Sequence, residues 1–411
     1  MKILYSDIYK YGTYLVILLN LGLINIFMPN QTPSMVVSII TSILLFLIYV
    51  RQPNKIKIKS IWLKLFIVLL FVLFFYELIR LKSMSNPSIS IQGAIAFYGG
   101  FFLVLLAFPI YEVVNYDKSF IQNIVIIGYV FLIYKFIAWA AFNFVHIDIA
   151  PSLLATRSNW TRALLGINFV RMSGTFMDPI MLIYSFYNFL NNKKFINLIG
   201  AIFIYAYSLV VFQSRSQFLY YTIIIILMIL LKSLTADNKV TSIIISLGIL
   251  IVFFIFSFRE FKAFFNTFSV NSAEYGGSTM VRLQGLDYLQ QMWNTTNKFW
   301  GFGYTPDNFI RIGLTDYWLS DQGIIEILYQ FGYYGFLVAL MPFINAIIDI
   351  IKIMYYKKIN NLNVLTIGLS VYMIISCANT NYYGFSLIIT LPILLALLFF
   401  SEKDINMRDS Y

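Results

Sequence analysis

SMVVSIITSILLFLIYV (residues 34–50), RQPNKIKIKS (51–60) and IWLKLFIVLLFVLFFYELI (61–79) decide the fold of this chain. The outer two stretches are apolar runs of 17 and 19 residues. A helix of that length crosses the hydrocarbon core of a bilayer. Between them lie Arg51, Lys55, Lys57 and Lys59 with no acidic residue. Short loops with that excess of positive charge stay in the cytoplasm, so this loop orients the whole chain.

Working outward, similar runs recur at roughly 11–28, 93–111, 120–142, 179–190, 195–212, 217–231, 240–258, 323–350, 363–378 and 384–400. Together they predict an all-α, polytopic membrane protein of about 12 transmembrane helices, folded as a single domain over residues 1–411. The run at 179–190 is short, and its helix is expected to start nearer Gly174. The Lys193–Lys194 pair and the Lys352, Lys357, Lys358 cluster agree with a cytoplasmic 51–60 loop and place both termini in the cytoplasm. The first apolar run is too long for a cleaved signal peptide and reads as a retained helix. Two long loops, 143–178 and 259–322, are left on the extracytoplasmic side.

Composition agrees: 60% apolar, 18% aromatic and 11% charged residues exclude an ordinary soluble domain. The net charge of +11 belongs to loops facing an anionic leaflet, and no nucleic-acid partner is expected. One cysteine, Cys377, and one histidine, His146, leave no material for a disulfide or a thiolate or imidazole metal centre. No metal site and no cofactor are expected.

The arginines are distributed differently from the lysines. In this topology fourteen of nineteen lysines fall inside, whereas eight of ten arginines fall outside: Arg80, Arg157, Arg162, Arg171, Arg215, Arg259, Arg282 and Arg311. Arginine's planar fork meets two phosphate oxygens at once. The outer arginines therefore point to an outward-facing site for an anionic, phosphate-bearing substrate. Arg215 leads the candidates, because it sits in a very short connection between two apolar runs, where a charge is costly without a task. Its bland reading is an interfacial anchor. Arg171 follows, then Arg282, and then Arg311, Arg157 and Arg162.

Within the second loop, VRLQGLDYLQQMW (281–293) spaces Val281, Leu283, Leu286, Leu289 and Met292 as a surface-lying amphipathic helix. Trp293, Trp300 and Trp318 either anchor the loop in the interface or stack on sugar rings. Asp178, before Pro179, reads as a helix start; His146 and Asp148 read as an interfacial pair. Lys64 and Lys135 lie inside apolar runs and either snorkel or pair with an acid such as Glu77.

The stretch GFGYTPDNFIRIGLTDYWLSDQGIIEILYQFGYYGFLVALM (301–341) passes from a glycine-rich turn into a helix, with Asp321 at its N-cap. Gly332 and Gly335 look like a small-residue face for close helix packing. Here the chain resembles the O-antigen polymerase and ligase family of bacterial membrane glycosyltransferases. That family's motif runs His, Asn/Ser/Gln, nine residues, Gly, two residues, Gly/Thr/Tyr. This chain has Asp321, Gln322, nine residues, Gly332, two residues and Gly335. RMSGTFMDP (171–179) and QSRSQ (213–217) resemble further landmarks, so the likeness covers roughly 157–341.

The resemblance implies a GT-C-like membrane fold at the cytoplasmic (inner) membrane. It implies polymerisation of undecaprenyl-pyrophosphate-linked oligosaccharides into an O-antigen, capsule or exopolysaccharide by metal-independent, inverting transfer. Asp321 in place of the motif histidine favours polymerase over ligase, with Asp321 as base and Arg215 as the catalytic arginine. Arg171, Arg282, Arg311, Arg157 and Arg162 would bind the pyrophosphate and glycan. Partners would be the lipid bilayer, the lipid-linked oligosaccharides, a chain-length regulator and a flippase. The alternatives are ligase-type transfer to another acceptor and a lipid-linked oligosaccharide flippase.

Overall fold

A computed structural model describes residues 5–23, 32–83, 98–150, 161–164, 167–235, 276–303, 322–384 and 387–406, with scattered positions between 238 and 269. The helices are α1 (Tyr5–Leu21), α2 (Thr32–Arg51), α3 (Ile61–Ser83), α4 (Ala107–Tyr116, entered through a 3-10 segment Gly99–Leu106) and α5 (Phe120–Ala140). They continue with α6 (Asp178–Asn192), α7 (Phe195–Val210), α8 (Arg215–Leu234), α9 (Gly276–Thr295), α10 (Ile325–Tyr355), α11 (Asn361–Ser376) and α12 (Thr390–Asn406). The chain is therefore an all-α polytopic membrane protein: among the described residues, six helices are long and apolar enough to cross a bilayer. Apart from a few scattered positions, the predicted run at 240–258 lies outside the described residues, as do residues 1–4 and 407–411.

Burial divides these helices into two kinds. In α3, Leu63, Phe66, Leu70, Leu73, Glu77 and Leu81 are buried, while Val68, Val72, Phe75 and Ile79 are exposed. Both sets repeat every three or four residues, so one face packs inward and an equally apolar face is left for lipid. In α12, Leu391 and the unbroken run Ile393–Phe399 are all at most 2% exposed. A helix that is apolar and buried all round is the bundle's centre. It packs against α4, α11 and α10.

Polar contacts gather at two opposite ends. At one end Lys10 pairs with Asp117 (2.6 Å), Lys358 with Asp404 (3.6 Å), Lys403 donates to Asn115 (2.6 Å) and Tyr9 to Gln52 (2.7 Å). At the other, beyond one helix length of α5, Lys135 reaches the 171–176 segment and the arginines collect. The lysine-rich loop 51–60 and Arg51 thus share one end, opposite Arg80, Arg162, Arg171, Arg215 and Arg282.

Three local features depart from the sequence reading. Part of the first long loop forms a two-stranded antiparallel hairpin, β1 (Thr161–Leu164) with β2 (Ile167–Val170), in register Thr161↔Val170. The span expected at 93–111 ends instead at Tyr116, where Asp117 takes over. The expected close-packing face at Gly332 is a break in α10. Gly332 adopts φ 69° and ψ −166°, and the 298–303 segment lies against the gap. There Phe302 and Gly303 N–H donate to the Tyr329 and Gln330 carbonyls (3.1 and 2.7 Å). Tyr333 and Tyr334 N–H donate back to Lys298 and Phe299 (3.0 and 3.2 Å). Interrupted helices are tolerated at membrane depth when protein supplies such partners. Gly335 does meet the expectation, lying against Leu73 of α3.

Candidate active site at the arginine end

The site is built around the four residues between α7 and α8. A helix ends with unpaired carbonyls, and α7 is no exception. Met172 N–H donates to Val211 O (3.2 Å), and Arg171 donates from Nε to Phe212 O (2.9 Å) and from Nη2 to Gln213 O (3.4 Å). Arg162, from β1, donates to the same Gln213 oxygen at 2.5 Å. Arg171 is only 6% exposed and lies over the Phe212 ring at 5.8 Å. Positive charge beside a helix C-terminus is favourable, so both arginines brace this turn.

The turn then delivers Arg215. Ser214 caps α8 by accepting from Gln217 N–H (3.4 Å), which makes Arg215 the first helical residue. Two guanidinium groups, those of Arg162 and Arg171, are thereby drawn to the turn from which Arg215 starts a helix, and the N–H groups of such a helix N-terminus favour anions. Sequence position separates Arg162, Arg171 and Arg215 by up to 53 residues. The hairpin β1–β2 and the returning helix pair α7–α8 bring them together.

The RMSGTF segment that carries Arg171 is itself clamped. Lys135 Nζ donates to Ser173 O (2.6 Å) and Gly174 O (3.2 Å), and Tyr207 OH reaches Ser173 O (3.3 Å). Trp139 Nε1 donates to Val170 O (2.8 Å), and Asn143 both donates to Val170 O and accepts from its N–H. Lys135 therefore neither snorkels nor pairs with Glu77. It is buried, it holds two main-chain oxygens, and its charge acts on Asp178. Asp178 closes the turn by accepting from Thr175 N–H (3.0 Å) and from the Thr175 hydroxyl. The helix therefore begins at Asp178 itself, with Pro179 in its first turn, and not near Gly174 as the sequence suggested.

A polar and aromatic wall adjoins Arg215. Tyr372 OH donates to Gln217 Oε1 (2.6 Å), Tyr220 OH to Asn379 Oδ1 (3.0 Å), and Ser376 and Tyr382 share a 2.6 Å hydrogen bond. Arg282 lies on α9, exposed, and its main-chain oxygen accepts from Gln322 Nε2 (3.1 Å). Its charge reaches the Tyr220 hydroxyl. Arg282 thus approaches the same wall from the second loop.

The expected amphipathic helix forms as α9. Leu289 and Trp293 are buried against Tyr329 and Phe302, whereas Val281 and Leu283 stay exposed. Trp293 meets Tyr329 edge-on at 5.5 Å, and Trp300 stacks on Tyr76 at 3.9 Å, so these two rings anchor the loop to α10 and α3. Arg80 is likewise occupied, donating to Trp300 O (3.0 Å) and Gly301 O (2.8 Å) beside Glu77. His146 sits exposed in a left-handed turn after α5, and Asp148 accepts from Ala150 N–H. Asp321, Arg157, Arg311, Arg259 and Trp318 lie outside the described residues.

Sequence reasoning singled out Lys135 but not its main-chain partners, and it missed the role of Gln213 and the Tyr372–Gln217 and Tyr220–Asn379 pairs. The signal for Lys135 was that a charge within an apolar run needs a partner. The others are ordinary residues whose role depends on distant neighbours. No family model matches this chain, and no curated protein matches it.

Proposed function

We propose that the chain is a membrane glycosyltransferase that polymerises undecaprenyl-pyrophosphate-linked oligosaccharides into a surface polysaccharide at the outer face of the cytoplasmic membrane. The observation that carries this reading is the gathering of Arg162, Arg171 and Arg215 at one turn, at the end opposite the lysine-rich loop. The resemblance of residues 157–341 to the O-antigen polymerase and ligase family supplies the reaction class.

In this reading the lipid pyrophosphate is the leaving group. As the sugar–phosphate bond breaks, negative charge grows on the departing oxygen, and Arg215 stabilises it, braced by Arg171 and Arg162. A preorganised contact of this kind is worth about 3 kcal/mol in the transition state. The guanidinium groups supply the positive charge that a metal would otherwise bring. Asp321 takes the proton from the attacking hydroxyl, which approaches the anomeric carbon from the face opposite the pyrophosphate and so inverts it.

A flippase is the second reading, favoured by the broken α10, since transporters build sites from interrupted helices. Surface glycan from cells carrying Arg215→Ala or Arg215→Lys separates the two, with protein abundance in the membrane measured alongside. Single repeat units at the surface in place of long chains support polymerisation. Loss of all surface repeats, with lipid-linked units retained inside, favours transport. Normal chain length in both variants removes Arg215 from the site. A reporter fused near residue 290 that lands in the cytoplasm overturns the outward-facing site altogether.

A further inference from the structure

Gln213 stands out among the residues of the arginine turn. Its backbone is left-handed, with φ 50°, a conformation that non-glycine residues rarely hold. Its side chain is buried, 7% exposed. Nε2 donates to Val210 O (3.2 Å), which settles the orientation of the amide, because a flipped amide would set two oxygens face to face. Oε1, pointing the other way, has no hydrogen-bond partner among the described residues. Donors abound nearby, yet the Arg162 and Arg171 contacts in this turn go to the main-chain oxygens of Phe212 and Gln213. A buried acceptor without a donor is disfavoured unless a donor arrives from elsewhere.

We propose that Gln213 Oε1 accepts a hydrogen bond from a hydroxyl of the first sugar on the lipid pyrophosphate, forming a sugar subsite two residues from Arg215. This rests on the glycosyltransferase reading above and adds the residue that would tell a glycan-bearing lipid from the bare carrier. A sugar hydroxyl has the required O–H donor, and the first sugar is the part of the substrate adjacent to the pyrophosphate that Arg215 would hold. The bare pyrophosphate, ionised, offers only acceptors and could not satisfy Oε1.

The test uses the full chain purified in detergent and two probes: sugar-free undecaprenyl pyrophosphate, and undecaprenyl-pyrophosphate-linked oligosaccharide extracted from the cells that make this protein. Gln213→Met keeps the shape and removes the acceptor. The expected result is unchanged affinity for the sugar-free lipid and about tenfold weaker binding of the glycan-bearing one. Equal weakening for both lipids would assign Gln213 to bracing the turn, and no weakening for either would leave its oxygen without a ligand; each result overturns the proposal. Should the methionine variant fail to accumulate, Gln213→Asn suits the left-handed backbone and gives the same comparison, with glycan-selective loss supporting and equal or no loss overturning. Wild-type protein that binds neither lipid defeats the glycosyltransferase reading itself, a distinct failure.

Discussion

Gly332→Ala is the sharpest perturbation of this fold, because two independent penalties meet at one atom. The backbone there, φ 69° and ψ −166°, belongs to a region almost confined to glycine, and a side chain in it costs about 1–3 kcal/mol. A Cβ would also lie 2.2 Å from the Phe299 carbonyl oxygen and 2.4 Å from its carbon. Both are main-chain atoms, so the 298–303 segment would have to withdraw. It is tied to the broken helix by Phe302 N–Tyr329 O, Gly303 N–Gln330 O, Tyr333 N–Lys298 O and Tyr334 N–Phe299 O. At about 0.5–1.5 kcal/mol each, losing these four adds about 2–6 kcal/mol. The sum, about 3–9 kcal/mol, rivals the whole stability of many domains. Thermal unfolding of the purified full chain in detergent measures it, with Gly12→Ala as the comparison. A Cβ at Gly12 would crowd only a side chain, the buried Leu45 with both methyls at 2.8 Å, and alanine favours the helix, so that variant should lose much less. If the two variants unfold at the same temperature, the break in α10 is not held as described.

Other expectations follow from single contacts. Arg171→Ala should destabilise by about 2–4 kcal/mol, since it strips donors from the Phe212 and Gln213 carbonyls; Arg171→Lys should recover only part, because an ammonium lacks the fork that spans both oxygens. Detergent unfolding curves for the pair decide this, and equal loss in both would mean that the fork geometry is immaterial. Lys135→Met should cost about 2–4 kcal/mol by leaving the Ser173 and Gly174 carbonyls without their donor, and an unfolding curve matching wild type would show those contacts to be worth nothing. At the lysine end, the hydrogen bond from Lys10 holds the Asp117 carboxyl below the usual carboxylate range. A lowered folded-state pKa gives stability that is present above the unfolded pKa of about 3.9 and lost as pH falls through the folded value. The stability difference between wild type and Asp117→Asn should therefore be constant at neutral pH and shrink on acidification below about pH 4. A difference that stays flat to pH 3 would mean that the pair contributes nothing.

Much of the architecture was legible in the chain itself. The runs at 34–50 and 61–79 appear as α2 and α3, and those at 195–212, 217–231 and 363–378 as α7, α8 and α11, with ends displaced by a few residues. A membrane helix satisfies its own backbone, so its existence depends only on the length and apolarity of a local stretch. The charged loops mark the ends for the same local reason. Asp178 as a helix start and 281–293 as a helix were likewise local matters of capping and spacing.

What the tertiary structure alone decided is which distant groups share a place. Arg162 and Arg171 are anchored by main-chain oxygens of residues 212 and 213, and Lys135 by those of 173 and 174. Every residue carries such an oxygen, so no side chain in the sequence announces the partner. The same reason hid the break at Gly332. The spacing of Gly332 and Gly335 fits a smooth packing face, and only the arrival of residues 298–303 supplies the hydrogen bonds that let the helix open there. Sequence determined how many arginines this protein could bring to one end; the fold decided that three of them meet at a single turn.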